Sequence, residues 1–364
     1  MAFLFADSFD HLATADILQK WTQTLPGAGA GSAPAINSTA GRRGGNGLSL
    51  AVASNATASK SQSLAVTLAP GNATAIVGFS FATTTLARLT VSATEASGNN
   101  ICRFRDAGTT QVWFRLNTDG TITALRGTNI LGTTTFALSA GTTYYLEFKV
   151  TVHSTAGVVV VRVDGDVKLS LPVAGSLNTQ NTTNTSWNEL VLGGGYFSTS
   201  VDAFYYDDLY CLDGSGTTSN DFLGDVRIDA VFPNAVGNTS NWTRSTGADQ
   251  WATIDEATSN GDTDYNSSAT VNDKDTLNFP NAPAGGADIF AVQVNMLSRK
   301  TDAGSAGLKA VARISGVDYP GTEVFPSSSY SDRRQIWDLK PDGSAAVWTS
   351  ADFNAAEFGY EKSS

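Results

Sequence analysis

Residues 205–228 read YYDDLYCLDGSGTTSNDFLGDVRI. Tyr205 to Leu212 is aromatic and aliphatic, interrupted by two acids, which is the composition of a strand. Asp213 to Asp221 carries two glycines and no large apolar side chain, and reads as a loop or linker. From Phe222 to Ile228 the chain turns apolar again. The stretch is therefore read as the last strand of one domain, a hinge, and the first strand of another. This predicts a domain over 1–213, a linker over 214–221 and a second domain over 222–364. At 364 residues the chain is long enough for two cores.

Upstream, short β-like segments follow one another. LSLAV (48–52), SLAVTL (63–68), AIVGFSFA (75–82), ARLTVSA (87–93), NICRFRD (100–106) and QVWFRLN (111–117) alternate or are rich in β-branched and aromatic residues. Asp119-Gly120 and Asp164-Gly165 are hairpin signals. Downstream, DVRIDAVFP (225–233), GADQWATID (247–255), DIFAVQVNMLSRK (288–300), GLKAVARISG (307–316) and SDRRQIWDLK (331–340) repeat the habit. Helical periodicity is nearly absent. The pattern predicts an all-β protein built from antiparallel sandwiches.

The formal charge of -11 argues against a phosphate-backbone partner, because such affinity comes from Lys and Arg. Only 16% of residues are charged, and Ser, Thr, Asn, Gly and Ala fill the gap, as in extracellular or virion β-proteins. Cys102 and Cys211 lie in apolar segments and read as buried free thiols, with a disulfide as the alternative that sequence alone does not decide. His11 and His153 are far apart, which leaves a His-based metal site or triad little to use. The start, MAFLFADSFDHL, has no basic region and too short an apolar run for a signal peptide, and no later run is long enough to span a membrane.

Five elements of residues 1–213 resemble the concanavalin A-like jelly roll, near its laminin-G-like members. They are DSFD at the start, WFRLNTDGTI (113–122), GTTYYLEFKV (141–150), GVVVVRVDG (157–165) and FYYDDLY (204–210). The joint DDLY…FLGDVR, with NWT (241–243), WATIDE (251–256), DTDY (262–265), WDLKPDG (337–343) and AEFGY (356–360), is similar to a two-domain virion protein of tailed bacteriophages. The resemblance implies a concanavalin A-like jelly-roll sandwich followed by a second, smaller antiparallel β-sandwich. It also implies a non-enzymatic structural component of a tail, fibre, baseplate or capsid decoration. Such a protein would be made in the host cytoplasm and would work through contacts with other virion proteins and with copies of itself. The alternative is an adhesin recognising host surface glycans, and a glycan depolymerase is the third reading.

Catalysis has little to stand on in the sequence. Glycosidases need two carboxylates at a set separation. The E-x-D-x-x-E run that sandwich glucanases use for this is absent, and Glu95, Glu147 and Glu189 have no partner acid at the right spacing. No cofactor motif appears. Calcium is the one ion the sequence leaves room for. Asp207, Asp208 and Asp213, with Asp202 nearby, are the candidate ligands. Asp207 and Asp208 are adjacent on a strand and are expected on opposite faces, so at most one can face a given site. A looser set is Asp262, Asp264, Asn266 and Asp273, which lacks the glycine and glutamate of a calcium loop. For sugar stacking the candidates are Trp187, in an Asn/Thr-rich loop, and Tyr196, after three glycines; Trp113, Trp242, Trp251 and Trp348 read as core. Phe325 and Tyr330, in VFPSSSYS, are the candidate contacts with a partner protein.

Overall fold

The structure is a computed structural model that describes residues 3–25, 33–51, 59–60, 62–86, 94–95, 99–194, 196–197, 203–282 and 288–364. It divides into two compact units. The larger takes residues 3–10 and 21–228, and the smaller takes residues 11–20 and 229–364. The expected linker, 214–221, thus falls inside the larger unit, and the expected strand ARLTVSA lies outside the described residues.

The larger unit is a jelly-roll sandwich of two antiparallel sheets. One sheet runs in the order Asp166–Leu171, Val158–Val163, Tyr144–Thr151, Thr74–Thr83, Ala203–Leu212, Gly47–Ala51 and Ala35–Asn37, and Phe3–Asp7 also pairs with Ala203–Leu212. The other runs Asn129–Thr133, Ile122–Arg126, Thr109–Leu116, Asn100–Asp106, Glu189–Leu192, Ser63–Thr67 and Gln23–Leu25. Alternating inward side chains meet between them. Phe114 of one sheet lies 4.4 Å from Phe148 of the other, centroid to centroid. The hairpin at Asp164-Gly165 has positive φ at both residues, as its sequence requires. Cys102 and Cys211 are free and buried, and burial pushes both thiols up.

A bulge interrupts Ala203–Leu212 between Asp207 and Tyr210, with Asp208 at φ +50°. The extra residue shifts the alternation by one. Phe204 and Tyr206 pack on the inward ring of Phe81, whereas beyond the bulge Tyr210 faces outward to Glu147. The bulge also divides one edge of the strand. Gly47–Ala51 pairs with residues 203–206, and Phe3–Asp7 pairs with residues 209–212.

Residues 222–228, expected as a strand, enter no sheet. They lie along the outer face of the eight-stranded sheet, tied through side chains that face away from the core. Gly224 N–H donates to Glu147 Oε1 (2.8 Å), Leu223 N–H to the Tyr210 hydroxyl (3.1 Å) and Ile228 N–H to Asp208 Oδ1 (2.8 Å). The Arg162 guanidinium lies 4.2 Å from the Phe222 ring centroid.

The smaller unit has a five-stranded antiparallel sheet in the order Ala235–Ser240, Lys274–Asn278, Glu357–Lys362, Leu308–Ile314 and Val317–Pro320. Val292–Ser298 pairs with Ser331–Trp337 as a second sheet. Trp337, Val292 and Met296 of the second sheet share one core with Leu308, Ala310 and Phe358 of the first, and Trp348 closes it. A short helix, Ser350–Ala355, begins at a capping box made by Thr349 and Asp352. Of the segment expected as a strand at 247–255, Trp251–Thr253 forms a 3-10 turn and the rest is irregular.

Candidate functional site

The stretch Ser240–Gln250, SNWTRSTGADQ, leaves the five-stranded sheet of the smaller unit and returns through a polar turn with Gly247 at φ +73°. Its start is held from below by a buried carboxylate. Asp275 is fully buried, and its Oδ1 accepts from the backbone N–H groups of Asn241 (2.6 Å) and Trp242 (2.9 Å). Burial pushes the Asp275 carboxyl up, against the pull of those two donors. The Tyr360 hydroxyl donates to Asp275 Oδ2 (3.1 Å) and accepts from Asn266 Nδ2 (2.8 Å). Asn266 Nδ2 also donates to the Gln250 carbonyl (2.9 Å), which joins the two ends of the stretch.

Trp242 is locked by the same floor. Its indole N–H donates to the Asp273 carbonyl (3.0 Å), and its ring meets Tyr360 edge-on at 4.8 Å. The strand Thr243–Arg244 pairs with Asn266–Ser267, and Ser245 Oγ accepts from Tyr265 N–H (2.8 Å).

Above this floor is a cavity of about 430 Å³, lined by Trp242 with Ser240, Thr243, Arg244, Ser245 and Gln250 among others. Two of its polar heads are unmatched among the described residues. Gln250 is only 3% exposed, and its backbone carbonyl is used, but its carboxamide meets no protein partner. Arg244 is exposed, and its guanidinium forms no ion pair or hydrogen bond. Apart from the half-buried Trp242 and the buried Gln250, the lining is exposed, so the cavity opens widely to solvent.

The residues singled out from sequence lie elsewhere. Asp207 and Asp208 do not point to opposite faces: the bulge turns both onto Arg42. Asp207 Oδ2 accepts from the Arg42 backbone N–H (2.5 Å), and Asp208 Oδ2 pairs with Arg42 Nε (2.9 Å). Asp213 ties a turn, accepting from Gly71 N–H (2.6 Å) and Ser215 N–H (2.9 Å). The looser acidic set diverges as well. Asp262 pairs with Arg299, Asp264 accepts from Asn260, Asn266 turns into the floor described above and Asp273 accepts from Ser268. Among the described residues no group of three or more His, Cys, Asp or Glu is placed to hold a metal ion.

Trp187 is fully buried against Phe104, with its indole N–H on the Thr74 carbonyl, so it belongs to the core and is closed to a sugar. The side chain of Tyr196, like Asp202, lies outside the described residues. Glu147 is fully buried and accepts from Tyr210 and Gly224, and Glu189 pairs with Arg105 and accepts from Gln23. Phe325 is 56% exposed, while Tyr330 donates to Asp262 Oδ1 (2.8 Å) beneath Arg299. Trp242, read from sequence as core, packs against the core of the smaller unit and also walls the cavity. The available signal was the polar run TRSTGADQ that follows it, the same kind of context that drew attention to Trp187.

No family model and no curated protein matches the chain. Among solved structures it is similar to the cellulose induced protein Cip1, with 13% identity over 57% of this chain and 97% of that one, at a TM-score of 0.41. It is similar to the catalytic domain of a glycoside hydrolase family 131 protein from Coprinopsis cinerea (13% identity, 61% and 98% covered, TM-score 0.39). It is also similar to Lectin I from Ulex europaeus (12% identity, 57% and 97% covered, TM-score 0.36). Likenesses this loose leave the function of this chain to be argued from its own residues.

Proposed function

We propose that this chain is a non-catalytic saccharide-binding protein, with its sugar site in the cavity beside Trp242. The observation that carries the reading is the carboxamide of Gln250, which meets no protein partner among the described residues and belongs to a residue lining that cavity. A polar group at the foot of a cavity, with no protein partner of its own, is available to pair with a ligand. A sugar suits the rest of the lining. Its hydroxyls can pair with Gln250, Arg244 and the neighbouring Ser and Thr hydroxyls, while its C–H face lies against the indole. The non-catalytic part of the reading rests on Glu147, Glu189 and Asp275, each held in a hydrogen-bonded or ionic framework of its own.

The test is calorimetric titration of the full chain with a panel of mono- and oligosaccharides, with an assay for new reducing ends run alongside. Saturable binding to part of the panel, at least tenfold weaker in Gln250→Ala, and no bond cleavage are expected. Binding unchanged in Gln250→Ala would remove the site, and release of shorter sugars would remove the non-catalytic reading.

A second reading, as a structural component of a phage particle, has a separate observation in its favour. Of the eleven exposed large hydrophobics among the described residues, eight are in the smaller unit, Phe325, Val317 and Val347 among them. Exposed apolar side chains of this kind are suited to cover by neighbouring copies or by other particle proteins. The check is the mass of the purified chain in solution. A stable oligomer that Phe325→Ser disperses favours the reading, and a monomer at micromolar concentration disfavours it.

A further inference from the structure

We infer that the saccharide taken beside Trp242 is anionic, carrying a carboxylate or sulfate read by Arg244; this rests on the saccharide reading of the cavity. Among the described residues Arg244 is the one charged side chain in the lining, and no acid pairs with it. Asp275, beneath the cavity, is occupied by two backbone N–H groups and the Tyr360 hydroxyl. Asp273 accepts from Ser268 and offers its carbonyl to Trp242. The other nearby base, Lys274, is already paired with Asp318 and Glu361. In a chain of formal charge -11, an uncompensated guanidinium on a cavity wall stands out as a place for an anion.

The remaining lining groups agree with that charge. Ser245 Oγ already accepts from Tyr265 N–H, so its hydroxyl hydrogen is free to donate outward. The Gln250 carboxamide carries two N–H donors. The lining therefore offers donors and a cation with no carboxylate among them, which suits a ligand rich in acceptors. The planar guanidinium fork can hold a carboxylate or sulfate through two parallel N–H bonds, a geometry that a lysine cannot reproduce.

The experiment titrates the full chain with three probes: an oligogalacturonate, its neutral methyl ester and a sulfated oligosaccharide. At least one anionic probe is expected to bind ten times or more tightly than the ester. Arg244→Gln should bring that probe down to the level of the ester, and Arg244→Lys should recover only part of the difference. Arg244 is exposed, so its replacement is expected to leave the melting temperature unchanged, and that measurement accompanies each titration. Preference for the carboxylate or for the sulfated probe identifies which anion is read. If the ester binds as well as the acids, and Arg244→Gln changes neither, the charge inference falls while the saccharide reading stands. If inorganic sulfate alone occupies the cavity and no sugar probe does, the site is a simple anion site and both fall.

Discussion

Asp207 lies in the interior of the larger unit beside a second carboxylate, and its proton is coupled to folding. Burial raises its pKa to about 7, helped by the charges of Asp208 and Asp10 and opposed by N–H bonds from Arg42 and Asp208. Burial raises Asp208 as well, against the pull of Arg42 and the Ile228 N–H. The unfolded chain releases the same protons near pH 4, at about the model-peptide value. Between those limits folding takes up protons, so stability is greatest at the acidic end of the window and declines as pH climbs through it. The expected outcome is a melting temperature that falls between about pH 5 and about pH 8, with a slope clearly reduced in Asp207→Asn. A slope that Asp207→Asn leaves unchanged would show that the carboxyl is ionised throughout. None of this was legible in the residues DD, because strand alternation places adjacent side chains on opposite faces. Only the bulge, at a non-glycine residue with φ +50°, turns both acids to one arginine.

Residues 214–228 form the element in which sequence and structure part most clearly. Their Ser, Thr, Gly and Asp content describes a loop, and in backbone terms the chain is one. What decides its place is the set of side chains presented by the sheet beneath. The Tyr210 ring lies across Gly78, where an added Cβ would come within 2.2 Å of it, and its hydroxyl donates to Glu147 (2.5 Å). Gly78 in AIVGFSFA was thus a legible sign of close approach, although its partner was not. Arg42 then clasps the far end, pairing with Asp208 and Asp225 and donating to the Val226 carbonyl. Arg42→Ala leaves Asp208 buried without its cation and should cost about 3 kcal/mol in a denaturant melt. Asp225→Asn, at the half-exposed end, should cost less than about 1 kcal/mol. Faster amide exchange at Ile228 is expected in the first variant alone. Equal costs would mean that the clasp gains nothing from its buried half.

At the scale of the whole molecule, the pattern of short strands and Asp-Gly turns was enough to read an all-β protein, because alternation and hairpin chemistry are local. The division into units was less legible. Residues 11–20 belong to the smaller unit although both of their flanks belong to the larger, and no local signal marks an exchange of that kind. The cores themselves are separate. Phe79, Phe114, Phe148 and Tyr206 fill one, while Trp337, Trp348 and Phe358 fill the other. Chains with two cores commonly depart from a single all-or-none transition. Trp348 is 1% exposed, with its indole N–H on the Trp337 carbonyl (3.1 Å) and its ring against Phe358. Trp348→Ala should therefore destabilise the smaller unit by about 3–5 kcal/mol through lost burial and the cavity left behind. In a calorimetric scan one transition is expected to move down by several degrees while the transition of the larger unit holds its position. A matched downward shift of all the heat absorption would show that the two cores melt as one, and would end the reading of this chain as two thermodynamic units.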